Sequence, residues 1–168
     1  QDALYMTPAS NVKLLTFLAA KQQFNKLPTV SYYKENDSLI HFKPSGYPLL
    51  LHPFYPETTL NAFFNQAARF IYLPALITPN PLGEGWAWDD YPYYYAAERS
   101  AFPIYGNAVQ ATLNDNTLEL TPSFFEKMVT RDSVGSKFKR LHSANIFSYN
   151  LSKWQKKDTL TRPFITSD

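Results

Sequence analysis

Residues 10–24 read SNVKLLTFLAAKQQF. Val12, Leu14, Leu15, Phe17, Leu18, Ala19 and Ala20 put apolar groups on nearly every side of a helix, so the spacing predicts a helix buried all round. Pro8 and Ser10 stand at its start, where proline is tolerated and serine caps, and Leu27-Pro28 ends it. Beyond it the pattern changes from a helical period to alternation. Thr29–Tyr33 and Leu39–Phe42 read as strands joined through Glu35-Asn36-Asp37-Ser38, and 43–56 as proline-rich loop. Leu60, Phe63, Phe64, Ala67, Ala68 and Ile71 return to helical spacing behind a capping Thr58 or Thr59. Val109, Ala111 and Leu113 alternate with polar residues ahead of the turn Asn114-Asp115-Asn116, which predicts a second hairpin through Leu120. Thr121-Pro122 opens a short helix to about Val129, and 140–151 reads as one more strand. The fold class expected is α+β, with one buried helix in front of a mostly β body.

Composition narrows the chemistry. The 168 residues include no cysteine, which excludes a disulfide framework, a thiolate zinc site and a cysteine nucleophile. Aromatics make up 17% of the chain, ample for a packed core and incompatible with a disordered one. No apolar run approaches a membrane span. Residues 1–120 hold 7 basic and 10 acidic side chains, and 121–168 hold 9 and 4. The basic residues of the last third are scattered and read as solvated faces, not as a nucleic-acid footprint. His41, His52 and His142 form no metal-binding spacing, so neither a metal nor a cofactor is expected.

Ser10 and Lys13 lie three residues apart, a spacing that places both on one helix face. A serine hydroxyl attacks carbonyls only when a base takes its proton, and a desolvated lysine can be that base. The N–H groups of a helix N-terminus can hold the oxyanion that forms. Ser31–Lys34 and Ser136–Lys139 repeat the spacing, the first on a strand, where the two residues point to opposite faces, and the second in a polar loop. Only Ser10–Lys13 opens an apolar helix. The plain alternative is a capping serine beside an exposed lysine.

The segment Tyr5-Met6-Thr7-Pro8-Ala9-Ser10-Asn11-Val12-Lys13-Leu14-Leu15-Thr16 resembles the nucleophile segment of the penicillin-binding protein 4 type D-alanyl-D-alanine carboxypeptidases. Gly85-Trp86-Ala87-Trp88-Asp89-Asp90-Tyr91, running on through Tyr93-Tyr94-Tyr95-Ala96-Ala97 to Asn107, is similar to a stretch of the domain those enzymes insert after the nucleophile helix. Lys43-Pro44-Ser45-Gly46-Tyr47-Pro48 is a looser match, with Tyr47 where the family often carries aspartate. The matches cover most of 5–107.

The resemblance implies a partial serine β-lactamase/penicillin-binding-protein-like fold. Residues 1–27 would be the nucleophile-helix segment and 28–168 the inserted, mostly β domain. It implies Ser10 as the acylated nucleophile, Lys13 as proton acceptor, and Asp90 and Tyr95 in the pocket for the amino end of a peptidoglycan stem peptide. Penicillins and other β-lactams would acylate the same serine, and the enzyme would work in the periplasm or cell envelope. Turn chemistry beside Pro92 is the other reading of Asp89 and Asp90, and packing is the expected role of Trp86, Trp88 and Tyr93–Tyr95. The class also needs Lys-Thr-Gly, which the sequence lacks, and a Ser-x-Asn element. Ser143-Ala144-Asn145 fits the second only in letters, because it falls in the stretch read as strand. The chain is therefore expected to be part of a longer enzyme, and helix 10–24, if left unshielded, to expose an apolar face and associate.

Overall fold

The computed structural model describes residue 5, residues 7–75 and residues 79–166. A 3₁₀ turn at Ala9–Asn11 leads into helix α1, Val12–Gln23. The helix is where the spacing puts it, but it is not buried. Leu14, Leu15 and Phe17 are 70, 69 and 67% exposed, and no residue of α1 is in the core. Each such side chain forgoes about 1.5–3 kcal/mol of burial. An all-round apolar pattern specifies that a helix wants cover, and the described residues do not supply it. Ser10 does not cap α1 either, since no side-chain cap bond forms at Pro8 or Asn11.

Strands β1, Val30–Asn36, and β2, Leu39–Pro44, form the expected antiparallel hairpin, with a bulge between Lys34 and Asn36. Helix α2 is shorter than its periodicity predicts, spanning Thr59–Phe64. The rest of that stretch becomes β3, Arg69–Tyr72, which pairs parallel to β2 with Leu39 opposite Arg69. Phe70, Ile71 and Tyr72 favour a pleated surface over a helix, and β2 offers backbone partners that a helix would forgo. Phe42 on β2 then packs against Phe64 of α2, Phe70 of β3 and Phe102, at ring-centroid distances of 5.0, 6.2 and 5.4 Å.

The second hairpin forms as the alternation predicts. Strand β4, Ala108–Asn114, pairs with β5, Thr117–Thr121, across a turn in which Asp115 and Asn116 take φ of 43° and 71°. Two residues of positive φ suit a tight hairpin turn whose twist matches its strands. A 3₁₀ segment, Ser123–Met128, follows, then β6, Val129–Arg131. The single strand expected over 140–151 is instead part of a hairpin. Strand β7, Phe138–Arg140, turns through Ser143–Asn145 into β8, Phe147–Tyr149, and β6 pairs parallel to β8. Leu141 N–H donates to the Ile146 carbonyl at 2.7 Å to close that turn. Strand β9, Thr159–Pro163, completes the β5-β4-β9 sheet by pairing with β4.

The described residues thus form a mixed α+β molecule of small three-stranded sheets with few helices. None of those helices is long and apolar enough to cross a membrane. The core lies between the β4 and β8 sheets and gathers Val109, Ala111, Leu113, Leu120, Phe125, Phe138, Phe147 and Trp154. Phe138 and Phe147 stack at 5.5 Å, and Phe125 meets Phe147 edge-on. Phe147→Ala is expected to cost about 3–5 kcal/mol, read as a lower urea midpoint with unchanged slope, because the cavity is walled by two sheets that cannot both collapse into it.

Candidate functional site

Lys13 Nζ lies 3.4 Å from Ser10 Oγ, one turn apart at the start of α1, so the amine and the hydroxyl do share a face. Both side chains are exposed. The desolvation that would favour a neutral amine therefore has no source among the described residues.

Asp90 and Tyr95 also meet. Two 3₁₀ turns, Trp88–Asp90 and Tyr94–Ala96, follow each other closely, and the Tyr93 N–H donates to the Asp90 carbonyl at 2.9 Å between them. This folds the chain back so that Tyr95 Oη donates to Asp90 Oδ1 at 2.9 Å. That hydrogen bond is the main reason the Tyr95 phenol is pushed above its ordinary pKa, with slight desolvation and the Asp90 charge adding to it. Tyr93 lies parallel to Tyr95 at 5.5 Å. The rings expected to pack do not: Trp86, Tyr93, Tyr94 and Tyr95 are exposed, and Trp88 is 70% exposed although His142 stacks on it at 3.8 Å. Clustered aromatics in a loop satisfied one another instead of filling a core. Among the described residues no hydrogen bond joins the Ser10–Lys13 pair to the Asp90–Tyr95 pair.

Sequence reasoning missed the group that holds this surface in place. Glu98 is buried in a loop, and its carboxylate accepts from Tyr91 Oη, from the Thr166 N–H at 2.7 Å and from Thr166 Oγ1 at 2.8 Å. Asn107 Nδ2 donates to the Glu98 carbonyl at 2.8 Å and to Ser100 Oγ at 2.9 Å. Buried Arg140 places its guanidinium 4.7 Å from the Tyr91 ring centre and donates to the Pro163 and Leu141 carbonyls, each at 2.8 Å. Only Ala96 and Ala97 ahead of it hinted that Glu98 is inside, and Arg99-Ser100 after it pointed the other way.

A cleft of about 600 Å³ adjoins the network, lined by His52, Glu98, Arg99, Ser100 and Asn107 among others and by none of the four predicted site residues. His52 Nδ1 accepts the Phe54 N–H at 3.1 Å, and desolvation lowers the imidazole pKa. The His52 ring packs onto the backbone of Gly106, where a Cβ would sit 2.8 Å from it, and Gly106 has φ of 63°. Glycine is required there twice over.

No protein-family model and no curated protein matches this chain.

Burial, then the hydrogen bond to Glu98, push the Tyr91 phenol up from 10.0 to about 12, against the opposing pull of Arg140. A raised folded-state value means that the protonated phenol stabilises the fold fully below about pH 10, and that this stability is lost as pH rises through about 12. Phenolate absorbance is expected to include a component titrating at about 12 that Tyr91→Phe removes, and urea stability is expected to fall across the same window.

Proposed function

We propose that the chain is part of a serine D-Ala-D-Ala carboxypeptidase or endopeptidase that acts on peptidoglycan stem peptides in the periplasm or cell envelope through an acyl-enzyme at Ser10. The observation that carries this reading is the approach of Lys13 Nζ to Ser10 Oγ at the head of an apolar helix. Further chain covering α1 would supply the missing desolvation, and with it the partial serine β-lactamase/penicillin-binding-protein-like fold.

In this reading Lys13 takes the Ser10 proton as Oγ attacks the carbonyl of the penultimate D-alanine. The Ser10 N–H is one donor to the oxyanion. Collapse breaks the peptide bond and leaves the acyl ester. The departing D-alanine amine takes up the proton, and water then hydrolyses the ester to regenerate Ser10. A β-lactam follows the first half of this path, its ring opening onto Ser10. Asp90 receives the ammonium at the free end of the stem peptide, with Tyr95 holding the carboxylate in place and presenting its ring beside it.

The second reading is a catalytically inactive homologue or an envelope binding module. It is favoured by the exposure of both Ser10 and Lys13, which leaves the pair without a source of desolvation among the described residues. Asn145 donates to the Ile165 carbonyl and accepts the Ile165 N–H, at 2.9 and 2.7 Å, a structural role in keeping with a segment that matches Ser-x-Asn only in letters.

A fluorescent penicillin is expected to label the full-length protein at Ser10. Ser10→Ala should abolish labelling and Lys13→Ala should slow it about 10²-fold or more. Asp90→Asn should raise KM for an amine-bearing stem peptide and leave labelling intact. Peptide binding without any labelling would establish the second reading.

A further inference from the structure

Five rings stay half exposed on one surface. Phe54, Tyr55, Tyr93, Tyr94 and Tyr95 have exposures of 46–60%. They come from separate stretches of chain yet form a continuous file. Phe54 meets Tyr94 at 5.7 Å, Tyr94 meets Tyr95 at 5.8 Å, and Tyr95 meets Tyr93 at 5.5 Å. At one end His52 contacts Phe54 and Tyr55 at 5.7 and 5.0 Å and leads into the cleft. At the other, the Arg162 guanidinium lies 5.7 Å from the Tyr93 ring centre. Together these rings leave on the order of 500 Å² of aromatic surface in water, a patch of the size that is often functional.

We infer that this file of rings binds a neutral saccharide chain. Tyrosine pairs a flat apolar face with a hydroxyl that both donates and accepts, which suits a ligand of stacked rings fringed with hydroxyls. The charge pattern fits the same ligand. Arg162 closes one end, while Asp89 and Asp90 stand beside Tyr95, so the surface favours neither a polyanion nor a polycation. The rings themselves ride on loops and 3₁₀ turns, outside any strand, so their faces and hydroxyls, not backbone groups, are what they offer a ligand. They are also held before any ligand arrives. The Ala96 N–H donates to the Tyr93 carbonyl at 3.0 Å, and His52 Nδ1 fixes the Phe54 backbone. Preorganisation of this kind lowers the entropic cost of binding. The inference stands apart from acyl transfer at Ser10, since penicillin labelling can fail while saccharide binding persists, and the reverse.

The test is an NMR titration of the intact protein with soluble oligosaccharides of N-acetylglucosamine and, separately, of glucose. Shifts confined to residues 52–55 and 93–95 are expected with at least one of them. Phe54→Ala and Tyr94→Ala should each weaken binding about three- to tenfold, while Phe124→Ala, which removes an exposed ring outside the file, leaves it unchanged. Both rings are exposed, and an unchanged amide pattern for β4 and β8 verifies that the variants fold. Should one variant not fold, Tyr93→Ala takes its place. Absence of shifts with both oligosaccharides overturns the proposal. So do shifts produced only by an amine-bearing peptide and lost in Asp90→Asn.

Discussion

The Glu98 carboxylate is the constraint on which the functional surface depends. A buried carboxylate is tolerated only when its oxygens are satisfied, and here three hydrogen bonds reach it from residues far apart in sequence. Tyr91 belongs to the loop that carries Asp90 and Tyr95, and Thr166 follows β9. One side chain thereby fastens the aromatic loop to the last strand of the β5-β4-β9 sheet. Arg140 adds a second fastening, with its guanidinium against Tyr91 and its donors on carbonyls of the β7–β8 turn and of Pro163. Local turns bring Asp90 and Tyr95 together, and this polar node anchors the long, irregular loop that carries them between β3 and β4 to the sheets.

Local rules written in short stretches were legible in the sequence. The β4–β5 hairpin followed from the alternation of Val109, Ala111 and Leu113 and from turn residues that accept positive φ. The β1–β2 hairpin and the position of α1 followed in the same way. What failed depended on partners. The helical period running to Ile71 lost to strand pairing with β2, and the strand expected over 140–151 broke where Arg140 could cap a turn. β9 was hidden because Pro163 ends a stretch with little apolar alternation, and only β4 makes it a strand. Of the candidate site, the Ser10–Lys13 spacing was legible, whereas Asp90 and Tyr95 were named only through a resemblance and their hydrogen bond to each other was not foreseen. Nor was Glu98, since a lone glutamate in a loop looks solvated until its partners arrive from elsewhere.

Two parts of the chain meet water very differently. The β4 and β8 sheets bury their apolar faces against each other, as their patterns require. Helix α1 leaves Val12, Leu14, Leu15, Phe17 and Leu18 exposed and buries none of its residues. At 12 residues it is near the length at which an isolated helix is marginal in water. Its stability must come from packing, so the geometry of Ser10 and Lys13 is only as firm as whatever covers the helix.

The bulge between Lys34 and Asn36 bears on a different hazard. β1 is an outer strand of its sheet, solvent-exposed along nearly its whole length, with Tyr32 and Tyr33 side by side. A flat, aromatic, open strand is a template for adding further strands and so for aggregation. The bulge breaks its regular spacing just where Lys34 and Glu35 add charge. The same irregularity that shifts the hairpin by one residue therefore makes this edge a poorer template for a further strand.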